Sequence, residues 1–118
     1  MKHLLLITIA AVLLVGCGPS MSIHDAAYTG NIEVVKQHLA AGTDVNAKDD
    51  DGWTSLHYVT GRGRKEVAEL LIANGADMNA EEVDGTPLDW AIRLGQTETA
   101  NLLRKHGGKT GEELKRLE

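Results

Sequence analysis

Residues Glu66 to Ala80 line up without a gap on Glu33 to Ala47, 33 positions earlier, with Val, Gly, Asp, Asn and Ala recurring in register. Shifted forward by 32 positions, the same stretch matches Glu98-Thr99-Ala100-Asn101-Leu102-Leu103-Arg104-Lys105-His106-Gly107. A second motif keeps this spacing. Asp51-Gly52-Trp53-Thr54-Ser55-Leu56-His57 pairs with Asp84-Gly85-Thr86-Pro87-Leu88-Asp89, and Ile23-His24-Asp25-Ala26-Ala27 fills the same slot in the first copy. A unit this short cannot enclose a core of its own, so each copy must bury its apolar side on the next. The repeat thus restricts the chain to a stack of layers.

Local signals say what one layer is. Thr54 and Thr86 are good helix N-caps, and Pro87 follows at the first helical position, where its missing N–H costs nothing. Leu56 and Leu88 face inward from that helix. Val67, Leu70 and Leu71 fall at i, i+3 and i+4 and make one apolar stripe on a second helix. Gly42, Gly75 and Gly107 stand just past a helix end, where a left-handed residue is wanted. Asp44 and Asp77 suit the turn that follows. The ring content agrees with thin layers: two Trp, two Tyr and no Phe leave little for a conventional aromatic core. The expected fold is all-α, three helix–turn–helix repeats with protruding β-turn fingers.

This pattern resembles the ankyrin repeat, in its period and in its Gly-x-Thr-Pro-Leu-His and Gly-Ala-Asp-x-Asn-Ala signatures. The resemblance runs from about Ser22 to Gly108, with repeats at about 22–50, 51–83 and 84–108. Gln37 and His38 stand where the second copy has Leu70 and Leu71, and Arg104 replaces Ile72, as polar outer faces of terminal layers require. His38 and His106 are accordingly expected on solvated helix surfaces. In the remaining stretch, 109–118, Thr110-Gly111-Glu112-Glu113 has the capping-box pattern and starts a short helix to Leu117. Leu114 and Leu117 are spaced either to dock on the third repeat or to fray.

The first residues read as an address. Met1-Lys2-His3 is followed by the apolar run Leu4 to Val15, interrupted only by Thr8. As a helix this run would span about 18 Å, short of the roughly 30 Å hydrocarbon core. It reads as a signal-peptide segment over 1–16 and not as a spanning helix. Leu14-Val15-Gly16-Cys17 resembles the bacterial lipobox. That resemblance implies cleavage before Cys17, a diacylglyceryl group on its thiol, further acylation, and residues 17–21 as the lipidated Cys and its tether. Each buried methylene would add about 0.8 kcal/mol to membrane attachment. The expected location is the bacterial cell envelope, lipid-anchored and facing the periplasm or the cell surface.

Other chemistry is poorly supported. Cys17 is the single cysteine, which excludes an intramolecular disulfide and a local Cys-based zinc site. A net charge of −5 argues against nucleic acid. His24, His57 and Asp89 form a column on successive repeats, but layers about 10 Å apart hold them too far apart for one ion at roughly 2.0–2.2 Å. The resemblance implies that this histidine makes hydrogen bonds between repeats. Asp49-Asp50-Asp51-Gly52 lacks the alternation and closing Glu of a calcium loop. Gly61-Arg62-Gly63 lacks the Lys-Ser/Thr of a phosphate loop. No enzyme, catalytic residue, metal or cofactor is expected.

The resemblance does imply a protein partner, held by the finger tips and the inner face of the first helices. Carried over by register, those positions are Tyr28 and Thr29 in the first repeat, and Asp50, Asp51, Trp53, Gly61 and Arg62 in the second. Val83, Asp84, Arg93 and Leu94 are theirs in the third. Trp and Arg are enriched among interface hot spots, whereas Trp53 could also pack along its own finger. Tyr58 and Trp90 share a later helix position that reads as inter-repeat packing. Three departures qualify the transfer. Ser55 replaces the usual Pro, Val59-Thr60 replaces Ala-Ala, and one residue is missing between Gly85 and Thr86. The expectation is a monomeric, lipid-tethered protein-binding module. Alternatives are an inhibitor or immunity protein against an exported enzyme, or a passive structural or stress-protective envelope component.

Overall fold

A computed structural model of the chain describes residues 21–62 and 64–118. The expected signal peptide, Cys17 and most of its tether lie outside the described residues. Helices are α1 (Ile23–Thr29), α2 (Ile32–Ala40), α3 (Ser55–Arg62), α4 (Lys65–Ala73), α5 (Pro87–Arg93), α6 (Thr97–Lys105) and α7 (Gly111–Arg116). Among the described residues, pairing of extended backbone is limited to one isolated bridge between Glu82 and Gly85. The fold is all-α, as the caps and apolar stripes predicted.

Each repeat is a pair, α1–α2, α3–α4 and α5–α6. The first helices pack in one row, α1 on α3 on α5, and the second helices in another, α2 on α4 on α6. Between the rows runs an aliphatic seam. Ile23, Leu56 and Leu88 occupy one register position and are all buried, as are Val35, Ala68 and Ala100 at another. Fully burying one such large side chain contributes about 1.5–3 kcal/mol. No Trp or Tyr belongs to the buried set.

Side chains with no helix propensity of note set the ends. Ser22 accepts from the Asp25 N–H at 3.0 Å, and Asn31 from the Val34 N–H at 3.2 Å. Thr86 and Asp89 form a full capping box with Pro87 behind the cap. The second repeat has the same device with an imidazole in place of the carboxylate. Thr54 Oγ1 accepts from the His57 N–H at 3.4 Å, and His57 Nδ1 accepts from the Thr54 N–H at 3.2 Å. Gly42, Gly75 and Gly107 have φ of 85°, 90° and 93°, the left-handed closure expected of them.

Polar ladders fasten one repeat to the next. Asp44 and Asp77 accept from the N–H two residues on, each at 2.9 Å. Asn46 donates to the Gly75 carbonyl at 3.1 Å and accepts from the Asp77 N–H at 2.7 Å. Asn79 repeats this one layer on, with the Gly107 carbonyl at 3.4 Å and the Lys109 N–H at 2.8 Å. The His-His-Asp column is part of the same fastening. His24 Nε2 donates to the Ala47 carbonyl at 2.8 Å, and His57 Nε2 to the Gly85 carbonyl at 3.3 Å. Asp89 reverses the polarity and accepts from the Gly111 N–H at 2.9 Å. The change of residue type has a simple cause: α7 presents a donor there, where the earlier repeats meet a finger carbonyl.

Two expectations need correcting or completing. His38 is not solvated. It is half-buried, with Nε2 donating to the Met21 carbonyl at 2.8 Å and Nδ1 at 3.1 Å from the Thr43 hydroxyl. It caps the stack where Leu71 and Leu103 fill the later layers. The C-terminal stretch does not fray at its start, because Thr110 and Glu113 form a capping box and Arg104 reaches Glu113 at 3.3 Å. Leu114 is half-buried, whereas Leu117 is exposed.

Candidate functional site

The rings absent from the core gather at one place. Trp53 lies 4.8 Å from Trp90 and 5.2 Å from Tyr58 between ring centroids. Tyr58 meets Tyr28 edge-on at 6.2 Å and His24 at 5.8 Å. All four Trp and Tyr residues of the chain are thus in contact, spread over three repeats. With Arg62 and Leu94 they line a cleft of about 300 Å³ where the fingers meet the first helices. Edge-to-face and tilted rings at these separations contribute about 0.5–1.5 kcal/mol per pair beyond burial.

Two of the rings tie their polar atom to the finger that precedes their own helix. The Tyr58 hydroxyl donates to Asp49 Oδ2, and Trp90 Nε1 donates to Glu82 Oε1 at 2.7 Å. Asp49 Oδ1 also accepts from the Asp51 and Trp53 N–H groups, both at 2.9 Å. Desolvation pushes the Asp49 carboxyl up, but these hydrogen bonds outweigh it and leave it below its ordinary 3.8. The same bond, with burial and the nearby charge, raises the Tyr58 phenol to about 12. So engaged, Asp49 serves the turn and the ring wall rather than a cation. Among the described residues no three His, Cys, Asp or Glu side chains converge as a metal site.

Two arginines frame the rings. The Arg62 guanidinium lies 5.0 Å from the centre of Tyr28 and that of Arg93 4.7 Å from Trp90, both cation–π contacts. Arg93 also donates to the Asp84 carbonyl at 3.0 Å. Behind the wall, His57 is buried. Desolvation holds its imidazole below the usual 6.5, against the Gly85 carbonyl and Glu82, which favour the charged form. Its Nδ1 accepts a backbone N–H, so the proton of the neutral ring is on Nε2.

The positions expected from register divide into two sets. Tyr28, Trp53, Arg62 and Leu94 line the cleft, with Arg93 at its edge. Trp53 is half-buried among rings of its own and the next repeat and does not stand free on its finger. Asp50, Asp51, Val83 and Asp84 are exposed on the fingers, away from the cleft lining, and Val83 is 95% exposed. Thr29 turns back, its hydroxyl donating to the Asp25 carbonyl at 2.9 Å. Gly61 lies within α3. Tyr58 and Trp90, expected as packing alone, do pack between repeats but also form the floor of the cleft. The signal for them lay in the composition: a chain with four large rings has placed all of them on one surface.

A second groove, of about 670 Å³, runs between α4 and α6 over Lys65, Glu69, Ile72, Leu102 and Lys105. It is larger but has no Trp, Tyr or Arg in its lining, which mixes acids (Glu69, Glu98) with bases (Lys65, Lys105) and the imidazole of His106.

Comparison with known proteins agrees with this architecture. A family profile described as "Ankyrin repeats (3 copies)" matches residues 23–113. Mouse "Protein phosphatase 1 regulatory subunit 12A" is 56% identical over 36 residues, which is 30% of this chain and 4% of that protein. Human "Protein phosphatase 1 regulatory subunit 27" is 42% identical over 36 residues, 30% of this chain and 23% of its own length. The chain therefore spans well under a third of these relatives. Among solved structures, the human ASB11 ankyrin repeat domain superposes with a TM-score of 0.70 at 33% identity, over 75% of this chain and 41% of that one.

Proposed function

The chain belongs to the ankyrin-repeat family, and from that premise we propose that it is a non-enzymatic protein-binding module whose partner seats in the aromatic cleft. The observation that carries this is the placement of every Trp and Tyr in one half-exposed cluster framed by two arginines. Aromatic and Arg side chains dominate interface energies because they bring large contact area with few rotamers to freeze. A fold that needed those rings for stability alone would bury them in the seam, where aliphatic side chains already suffice.

The reading extends to where the module works. The apolar run Leu4 to Val15 and the sequence Leu14-Val15-Gly16-Cys17 support a lipid tether through Cys17 to the bacterial envelope. No helix among the described residues is long and apolar enough to cross a membrane. Short reach from the bilayer would confine the cleft to partners at or near that surface.

Each part has its own test. A photo-crosslinking side chain at Leu94, in the native host, should give one saturable adduct, identified by mass spectrometry, that disappears in Arg62→Glu/Arg93→Glu. An adduct pattern unchanged in that folded variant would remove the cleft from the reading. Metabolic labelling with palmitate should mark the wild type and not Cys17→Ser. Equal labelling, or none in either, would remove the tether.

A further inference from the structure

We propose that the cleft takes a protein segment in which a large apolar side chain is flanked by carboxylates on the side of the first helices. The inference rests on the reading of the cleft as the binding site and adds the chemistry of its occupant. It starts from the two arginines. Among the described residues, neither Arg62 nor Arg93 has a carboxylate within ion-pair distance, although Arg104 and Arg116 pair with glutamates at 3.3 and 2.6 Å. This is in a chain with an excess of acids and a net charge of −5.

Stacking explains what the unpaired arginines can do. A guanidinium lying over a ring leaves donors on its edge free, even in Arg93, which gives one N–H to the Asp84 carbonyl, and a fork of two such donors matches a carboxylate. Tyr28 and Trp90 therefore hold two carboxylate receptors in place before any partner arrives, which lowers the ordering cost of binding. The finger acids do not fill them: Asp49 is bound to Tyr58, Glu82 to Trp90, and Asp84 meets Arg93 through its backbone carbonyl and not its carboxylate.

The finger carboxylates set the direction. Asp50, Asp51 and Asp84 are exposed on the fingers and would repel a uniformly acidic segment. The occupant is thus acidic toward α3 and α5, apolar over the rings, and neutral or basic toward the fingers. The cleft's lining of Tyr28, Trp53, Tyr58, Trp90 and Leu94, and its volume of about 300 Å³, leave room for a large apolar anchor.

The test is selection of a random linear peptide library on the full chain, alongside Arg62→Glu/Arg93→Glu and Arg62→Gln/Arg93→Gln. Both tryptophans line the cleft, so intrinsic fluorescence reports its occupancy directly. Wild type should enrich peptides with Asp or Glu next to an aromatic or branched apolar residue. Replacing those acids by Asn or Gln should weaken the fluorescence titration by about tenfold or more, as loss of charge-assisted pairs implies. The Glu variant, folded by circular dichroism, should instead select Lys- or Arg-bearing peptides. Peptides that shift the fluorescence but carry no acidic preference, and bind both variants alike, would overturn this inference and leave cleft binding standing. No peptide enriched on wild type that shifts the fluorescence would overturn both.

Discussion

The seam and the cleft are built from the same three repeats but obey opposite rules. Along the seam a register position keeps its residue type: Ile23, Leu56 and Leu88; Val35, Ala68 and Ala100; Asn46 and Asn79. In the cleft the type changes at every step. One position holds Asp25, Tyr58 and Trp90, the next of interest Tyr28, Gly61 and Arg93, and another Thr29, Arg62 and Leu94. Trp53 has no counterpart in the third repeat, since the missing residue between Gly85 and Thr86 falls at its place. Stacking demands sameness because each layer must fit the one before it. Recognition demands difference because a surface of identical positions could present one kind of contact. Where a repeat breaks its own rule, the residue answers to something other than the stack.

If this division holds, the largest losses of stability belong to the seam. Leu71 is fully buried on α4, the helix that packs against both α2 and α6, and Leu71→Ala should cost about 2–5 kcal/mol. Against a total of about 5–15 kcal/mol for a small domain, urea unfolding should show a midpoint far below wild type. A loss under 1 kcal/mol would mean that the layers are not closely packed there. Next comes Asp89, whose Oδ2 accepts the N–H groups of Thr86 and Gly111, each at 2.9 Å. Asp89→Ala leaves both donors short of a partner and should cost about 1–3 kcal/mol. Hydrogen exchange should accelerate selectively in α7. Uniform acceleration through all three repeats would assign Asp89 to the stack as a whole instead of to its last joint.

Much of this could be read from the sequence, and the failures have a common origin. The period, the caps at Thr86 and Thr110, the left-handed glycines and the buried stripe through Val67 and Leu71 depend on neighbours within a few residues or on the repeat itself. His38 depends on the Met21 carbonyl, 17 residues away, and a polar residue on a terminal layer gave no sign of that bond. Asp89 could be placed in its column, but its role required knowing that α7 returns its first N–H to the same spot. In the cleft, register found Tyr28, Trp53, Arg62, Arg93 and Leu94 but assigned Tyr58 and Trp90 to packing. They do both, and only the angle at which successive layers meet reveals the shared surface.

Titration separates the two regions at smaller cost. His57 belongs to the seam, where burial lowers its folded-state value below 6.5. The unfolded chain then binds more protons in the interval between the folded value and 6.5. Stability is complete above that interval and is lost as the pH falls through it. Thermal midpoints of the wild type should decline on acidification below about 6.5, and His57→Asn should decline less steeply. Identical slopes would show that the imidazole is already free to charge in place. Tyr58 belongs to the cleft, and its contribution runs the other way. Its raised value, about 12, stabilises the fold at low and neutral pH and is lost as the pH rises from the ordinary 10. Tyr28→Phe leaves Tyr58 as the one tyrosine, so phenolate absorbance should titrate near 12, and nearer 10 once Asp49→Asn is added. A midpoint near 10 without that second change would break the tie between ring and finger.

The smallest expected effect on stability is the most informative. Tyr28 is 45% exposed and Arg62 is exposed, so Tyr28→Ala/Arg62→Ala removes a cation–π pair worth about 0.5–1 kcal/mol at such a site. It also removes one edge contact to Tyr58. Neither change opens a cavity in the seam or strands a buried polar atom. The sum should be about 1–2.5 kcal/mol, about half the loss of Leu71→Ala, with the hydrogen-exchange pattern of α4 and α6 unchanged. Crosslinking through Leu94 should nevertheless be lost. If instead the double variant unfolds as readily as Leu71→Ala, the rings are a second core laid along the first helices. The changing residue types at these positions would then reflect the filling of uneven gaps between layers, and recognition would have to be sought on the fingers, at Val83 and the exposed aspartates.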